Sequence, residues 1–335
     1  NRPENPSALL SIPDTQSGRD ERELAIDQVG IRGLRYPLAF ADGDAPAQTT
    51  IATFGVMVAL PADRKGTHMS LLVQILEDLT APGAAPLSVA SLRELLDDLV
   101  VRLDAPGGRV EIAFPWFVRK SAPISGVASL LDYEVRLAGE LHEGRYRSLV
   151  TVAVPVTSLC PCSKEIAEYG AHNQRSTITI SVRPRDPVGV GELLRVAEDE
   201  ASAELYGILK RADEKYLTER AYDNPRFVED LVRGVAARLT ADPRVAAFAA
   251  QRTLGSCYTE IARKRSVSRG AVGGGMNRRV LTSFAMVVGA IAACSGSSDS
   301  AGGGPASGGP DASTSVLGDG QSACEDVRYN PPLDG

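Results

Sequence analysis

The order of apolar and polar positions divides the chain into runs of period two and runs of period 3.6. Residues 29–37 form a short strand-like run with basic residues interleaved, and residues 49–60 are β-rich, with Ile51, Phe54, Val56 and Val58 among the apolar positions. Leu72, Ile75, Leu76 and Leu79 then recur at helical spacing, and Pro82 and Pro86 break the chain after them. Leu92, Leu95, Leu96, Leu99 and Leu103 line a second helical face, which Ser91 and Glu94 open at capping-box spacing. Strands return at residues 110–114 and 131–137; in the latter Leu131, Tyr133, Val135 and Leu137 alternate with Asp132, Glu134 and Arg136. Residues 149–156 run as a strand into Cys160-Pro161-Cys162, a turn that leaves the sheet because Pro161 has no N–H for the ladder. Residues 177–182 are a further strand. Residues 191–210 place Leu194, Ala197, Ala201, Leu205, Ile208 and Leu209 on one helical stripe, and residues 225–239 predict a helix with Asn224 as N-cap. The pattern of strands followed by two helices runs twice. It predicts an α+β chain of two β-β-α-α-type halves, with antiparallel sheets and helices on one face.

The 335 residues are enough for a large core, and 43% hydrophobic with 23% charged residues is an ordinary globular composition. A net charge of −6 argues against a general nucleic-acid binder, so an anionic substrate requires a local basic pocket. Five unevenly placed cysteines do not form a secreted disulfide framework, and a reducing cytoplasm fits the body of the chain. The first fourteen residues are polar, with no apolar run of the kind an N-terminal export signal carries.

Three regions follow from composition. Residues 1–20 read as an extended arm, 21–262 as the body of the chain in two halves, and 263–335 as an anomalous tail, largely disordered. Within the tail, Met276-Asn277-Arg278-Arg279, an apolar run over residues 280–293 and Cys294 resemble a bacterial lipoprotein signal. It is too short to span a membrane and lies too far along the chain to act as an N-terminal address, so Met276 reads as the start of a second, unrelated protein joined to the first. The body of the chain has no membrane partner on this reading.

Candidate chemistry concentrates in Thr157-Ser158-Leu159-Cys160-Pro161-Cys162-Ser163-Lys164-Glu165 and the following Tyr169-Gly170-Ala171-His172-Asn173-Gln174-Arg175-Ser176. Two of the five cysteines and one of the three histidines fall within thirteen positions. Thiolate and neutral imidazole are ligands for zinc and similar borderline metals, and a Cys/His pair is also the minimal activated nucleophile. The bland reading is a tight turn with two small buried side chains. A redox pair is a further reading, though one intervening residue strains a disulfide.

The central run resembles the signature of the type IB GTP cyclohydrolases. So do Asp14-Thr15-Gln16, residues 29–37 and 65–70, Arg211-Ala212-Asp213-Glu214-Lys215-Tyr216 and Phe227-Val228-Glu229-Asp230, together covering residues 10 to about 248. The resemblance implies a tunnelling fold and a homotetramer with active sites at subunit interfaces. It implies hydrolysis of GTP to 7,8-dihydroneopterin triphosphate and formate, the first step of tetrahydrofolate synthesis. Cys160, His172 and Glu214 match the family's metal ligands, and the mixed donor set suits zinc, manganese or iron(II). Cys160 matches a catalytic thiolate, while Cys162 and the neighbours of His172 are candidates for proton transfer. Glu229 matches the carboxylate that grips the guanine edge; Lys65, His68 and Arg175 are candidates to bind the triphosphate, against the default that isolated polar and basic residues lie on a solvated face. One segment departs: Ala247 to Ser256 replaces a Glu-Ser-Ile-His-Asn-His-type segment near the family's C-terminus. The alternative that this opens is a catalytically impaired protein of the same fold that binds metal or purine.

Overall fold

The computed structural model describes residues 16, 18–254 and 258–264. The arm before residue 16 and the signal-like segment 276–294 lie outside the described residues. The first half runs β1 (Ile26–Phe40), β2 (Gln48–Leu60), α1 (Met69–Leu79), α2 (Leu92–Arg102), β3 (Gly107–Ser121) and β4 (Ala128–His142). The second runs β5 (Arg145–Leu159), a short α3 (Pro161–Ile166), β6 (Asn173–Pro184), α4 (Val190–Glu200), α5 (Arg211–Asp223), α6 (Val228–Ala241), β7 (Val245–Leu254) and β8 (Tyr258–Lys264). All eight strands form one antiparallel sheet in sequence order. The α+β class expected from the sequence is therefore what the chain adopts, and two strands close each half after its helices. This doubled unit is the tunnelling-fold arrangement that the resemblance implied.

The halves are joined by a two-residue turn between His142 and Arg145. Both its residues have positive φ, Glu143 at 48° and Gly144 at 75°, the handedness that matches the twist of the flanking strands.

The period-two pattern decides which face is buried. Phe54 pairs with Ile112, Ile112 with Leu137, Leu137 with Val150, Val150 with Val182 and Val182 with Phe248. Every member of this row is buried, so one apolar face continues unbroken from β2 to β7. Helices α1 and α2 cover it in the first half, and α4 and α6 in the second. The leucines expected on the α1 and α2 faces point inward, and the sheet and helices share a single core.

Three local expectations are corrected. Ser91 does not cap α2 through its side chain; its Oγ instead accepts from Ser88 N–H at 2.9 Å. The helix expected over 191–210 stops at Glu200, because the chain there turns to pair with β5. Thr157 N–H donates to Ala203 O at 2.9 Å, and Leu159 N–H to Ser202 Oγ at 3.0 Å. Asn224 does not open α6. It terminates α5 and its amide donates to Ala201 O at 2.9 Å, while Phe227 precedes α6. The segment 247–256 that departs from the family motif lies largely in β7, whose residues 245–254 pair with β6.

Helix α5 is a fourth helix of the second half, unmarked by an apolar stripe. It is held by a buried carboxylate. Asp213 accepts from Ile124 N–H at 2.9 Å, Ser125 N–H at 2.8 Å and Lys210 N–H at 2.8 Å, and from the Ser125 hydroxyl. Burial pushes this carboxyl up, but the donors of Ser125, Lys210 and Ile124 outweigh that and hold it well below its usual 3.8. A group whose folded pKa is depressed contributes stability above its unfolded pKa and loses it as the pH falls. The Asp213→Asn variant, which imitates the protonated acid, should therefore melt lower than wild type at pH 7. The gap should narrow as the pH falls below about 4; thermal melts across that range check this, and a gap independent of pH contradicts it.

Candidate functional site

Strands β5 and β6 pair from Val150↔Val182 to Leu159↔Asn173. Cys160 and His172 are the next residues outward on each strand. Cys160 N–H donates to His172 O at 3.3 Å, so thiol and imidazole sit on opposite sides of the mouth of one hairpin. Pro161 then starts α3 at its first position, where a missing N–H costs nothing. The turn does leave the sheet there.

Cys160 is partly buried and Cys162 exposed; both are free thiols. The Ser163 backbone N–H beside the sulfur holds the Cys160 thiol below its usual value against the opposing effect of burial, and Cys162 adds to the lowering. A thiol shifted toward the thiolate, across the hairpin mouth from an exposed imidazole, offers a donor pair suited to a borderline divalent cation.

Glu214 stands exposed in the first turn of α5, immediately after the Asp213 anchor. Its carboxylate has no hydrogen-bond or ion-pair partner among the described residues. It is not grouped with the other two: among the described residues, no three His, Cys, Asp or Glu side chains lie close enough to hold a metal ion. Cys160 and His172 are thus brought together within the chain, while Glu214 stays apart.

Glu229 lies exposed in the first turn of α6. The entry to this helix is fixed to the same hairpin, because Arg226 N–H donates to Leu159 O at 3.1 Å. Arg175 is exposed on β6 opposite Thr157 of β5, two pairs in from the mouth. Lys65 and His68 are elsewhere. They follow the end of β2, where Lys65 N–H donates to Gly18 O at 2.9 Å and His68 precedes α1. Successive antiparallel pairings put that end of β2 beside the starts of β3 and β5 and the end of β4. It is opposite the end of β5 that carries Cys160. A strand of fifteen residues separates the two ends, on the order of 40 Å.

Beside the hairpin mouth lies a cleft of about 580 Å³, open to solvent. Leu159, Tyr169, Gly170, Ala171 and Asn173 form one wall, and Thr218, Glu219, Tyr222 and Asp223 of α5 the other. Lys164 fastens these walls: its Nζ donates to Tyr222 O and sits 4.0 Å over the Tyr222 ring. Tyr169 is 97% exposed at the rim. Tyr169 and Asn173 sit within the motif run and could have been singled out from it. Tyr222 and Glu219 carry no sequence signal, because α5 has no apolar stripe to mark which side faces the hairpin.

No helix among the described residues is long and apolar enough to cross a membrane. The family model described as type I GTP cyclohydrolase folE2 matches residues 12–262. A protein from Cupriavidus metallidurans named GTP cyclohydrolase FolE2 2 is 54% identical over 244 residues, covering 73% of this chain and 89% of that one. GTP cyclohydrolase FolE2 1 of Dechloromonas aromatica is 51% identical over 247 residues, covering 73% and 90%. Among solved structures, uricase from Arthrobacter globiformis aligns with a TM-score of 0.40 at 9% identity, over 74% of this chain and 96% of that one, a likeness too slight to bear on function. A match over three quarters of the sequence, with relatives above half identity, means that this chain belongs to the type I GTP cyclohydrolase FolE2 family.

Proposed function

We propose that the chain hydrolyses GTP to 7,8-dihydroneopterin triphosphate and formate, the entry step of folate synthesis. The carrying observation is the pairing of Cys160 with His172 at one hairpin mouth, in a chain of the FolE2 family. A divalent cation, zinc, manganese or iron(II), would be held by Cys160 and His172, with Glu214, which stands apart from them within one chain, as the third ligand on assembly. Bound there, it supplies a Lewis acid that makes water nucleophilic near neutral pH. Glu214 has no competing partner among the described residues, and its helix is anchored at the residue before it.

The remaining steps belong to side chains. Water adds at C8 of the guanine imidazole ring and the ring opens to a formamide; a second water releases C8 as formate, and the rearranged ribose closes the new ring with loss of one water. Cys162, exposed on the first turn of α3, is assigned a proton transfer in this sequence. Glu229 accepts from guanine N1–H and the exocyclic amine as a parallel pair, which selects guanine over adenine. Arg175 stands near enough to the hairpin mouth to meet the triphosphate of the same site. Lys65 and His68 are at the other end of the sheet, so their phosphate contacts are made in the site of a neighbouring subunit. That division favours an assembly, a homotetramer, in which each active site draws on two chains. The body of the chain works in the cytoplasm on this reading, without nucleic acid or membrane.

Three outcomes test it. Cys160→Ala should abolish formate release from GTP, and chelation should abolish it in wild type until manganese, iron(II) or zinc is restored; near-normal turnover by the variant defeats the thiolate assignment. Glu229→Gln should lower kcat/KM for GTP about 10- to 100-fold, the cost of weakening a charge-assisted pair, and an unchanged value excludes Glu229 from the guanine edge. Finally, a Lys65→Ala/His68→Ala chain and a Cys160→Ala chain, each inactive alone, should recover activity when co-assembled. Mixed oligomers that remain dead contradict a site shared between subunits.

A further inference from the structure

Cys160 directly follows β5 and His172 directly precedes β6, and the loop between them covers eleven residues. Their common backbone link, Cys160 N–H to His172 O, is 3.3 Å long, at the weak end of the range. One side chain adds a second tie. The Ser163 hydroxyl donates to Cys160 O at 3.0 Å and accepts from His172 N–H at 3.1 Å. A hydroxyl has one proton to give; here it goes to the peptide carrying one thiol, while the oxygen holds the peptide carrying the imidazole. Ser163 is itself held by α3, where Ala167 N–H donates to its carbonyl at 3.1 Å, and its side chain is partly covered. Cys160 O also receives Lys164 N–H at 3.2 Å, so the carbonyl is oriented from two sides.

We infer that Ser163 is a positioning residue for the cation site: its hydroxyl fixes the Cys160 peptide against the His172 peptide, so that the backbones carrying the thiol and the imidazole are held together before the ion binds. The inference rests on the metal reading above. Groups that orient a ligand in this way change metal affinity about 10- to 100-fold when removed. The serine adds no ligand of its own. Its effect should therefore appear in binding even where no substrate is present.

The test uses the full chain stripped of metal and titrated with cobalt(II), whose thiolate charge-transfer absorption reports a bond to sulfur. Wild type should show the band and Cys160→Ala should lack it. Ser163→Ala should bind cobalt about 10- to 100-fold more weakly, while its far-UV circular dichroism and its melting without metal stay those of wild type. Ser163→Thr, which keeps the hydroxyl, should restore tight binding. A Ser163→Ala protein that binds cobalt as tightly as wild type overturns the inference and leaves the metal reading standing. A wild type without the sulfur band overturns both. Amide exchange in the metal-free wild type gives a check that needs no variant: the His172 N–H should be protected, and free exchange there overturns the role of Ser163.

Discussion

The register of β5 on β6 governs the site. Val150, Val152 and Val154 face Val182, Ile180 and Ile178, all buried in the shared core. A slip of one residue would turn each of these to the opposite face, so the apolar pairs allow one register. That register carries outward without a break to Leu159 opposite Asn173, and beyond it to Cys160 opposite His172. The position of a thiol and an imidazole is thus set by hydrophobic burial several residues away. The polar contacts at the mouth refine an arrangement that the core has already imposed.

A second layer of control is polar and buried. Asp213 ties the β3–β4 turn to the start of α5, Ser202 and Asn224 tie the segment after α4 to β5 and α5, and Arg226 ties the start of α6 to Leu159. Glu198 of α4 accepts from Lys120 of β3 at 2.8 Å and from the Tyr133 hydroxyl of β4 at 2.6 Å, joining the two halves inside the protein. Burial, then Glu198, pushes the Tyr133 hydroxyl far up, so it stays a neutral donor. Contacts of this kind are costly to break and weak as net stabilisers, so their effect is to select one arrangement of helices. They set where Glu214 and Glu229 stand relative to the hairpin.

The distribution of the candidate residues follows from strand length. Fifteen-residue strands carry the β2–α1 loop and the β5–β6 mouth to opposite ends of the sheet. Lys65 and His68 therefore cannot join Cys160 within one chain, although they belong to the same resemblance. Among the described residues, no three metal-ligating side chains of one chain are grouped either.

The strands and the first two helices were legible because their apolar residues follow a fixed period against one core, as in Leu92, Leu96 and Leu99 of α2 or Tyr133, Val135 and Leu137 of β4. The Cys160 to His172 cluster was legible because rare residue types crowd into a short span. Helix α5 was not, since of its residues only Asp213 and Ala221 are buried and a buried carboxylate leaves no periodic trace. The end of α4 at Glu200 was hidden too: Ala201, Leu205 and Ile208 keep a helical spacing, but pairing of Ala203 with Thr157 wins there. Local pattern determined which segments bury apolar surface and which side chains carry chemistry. Tertiary structure alone decided which of those side chains meet, because strand pairing and buried polar anchors act between residues that no short window of sequence contains.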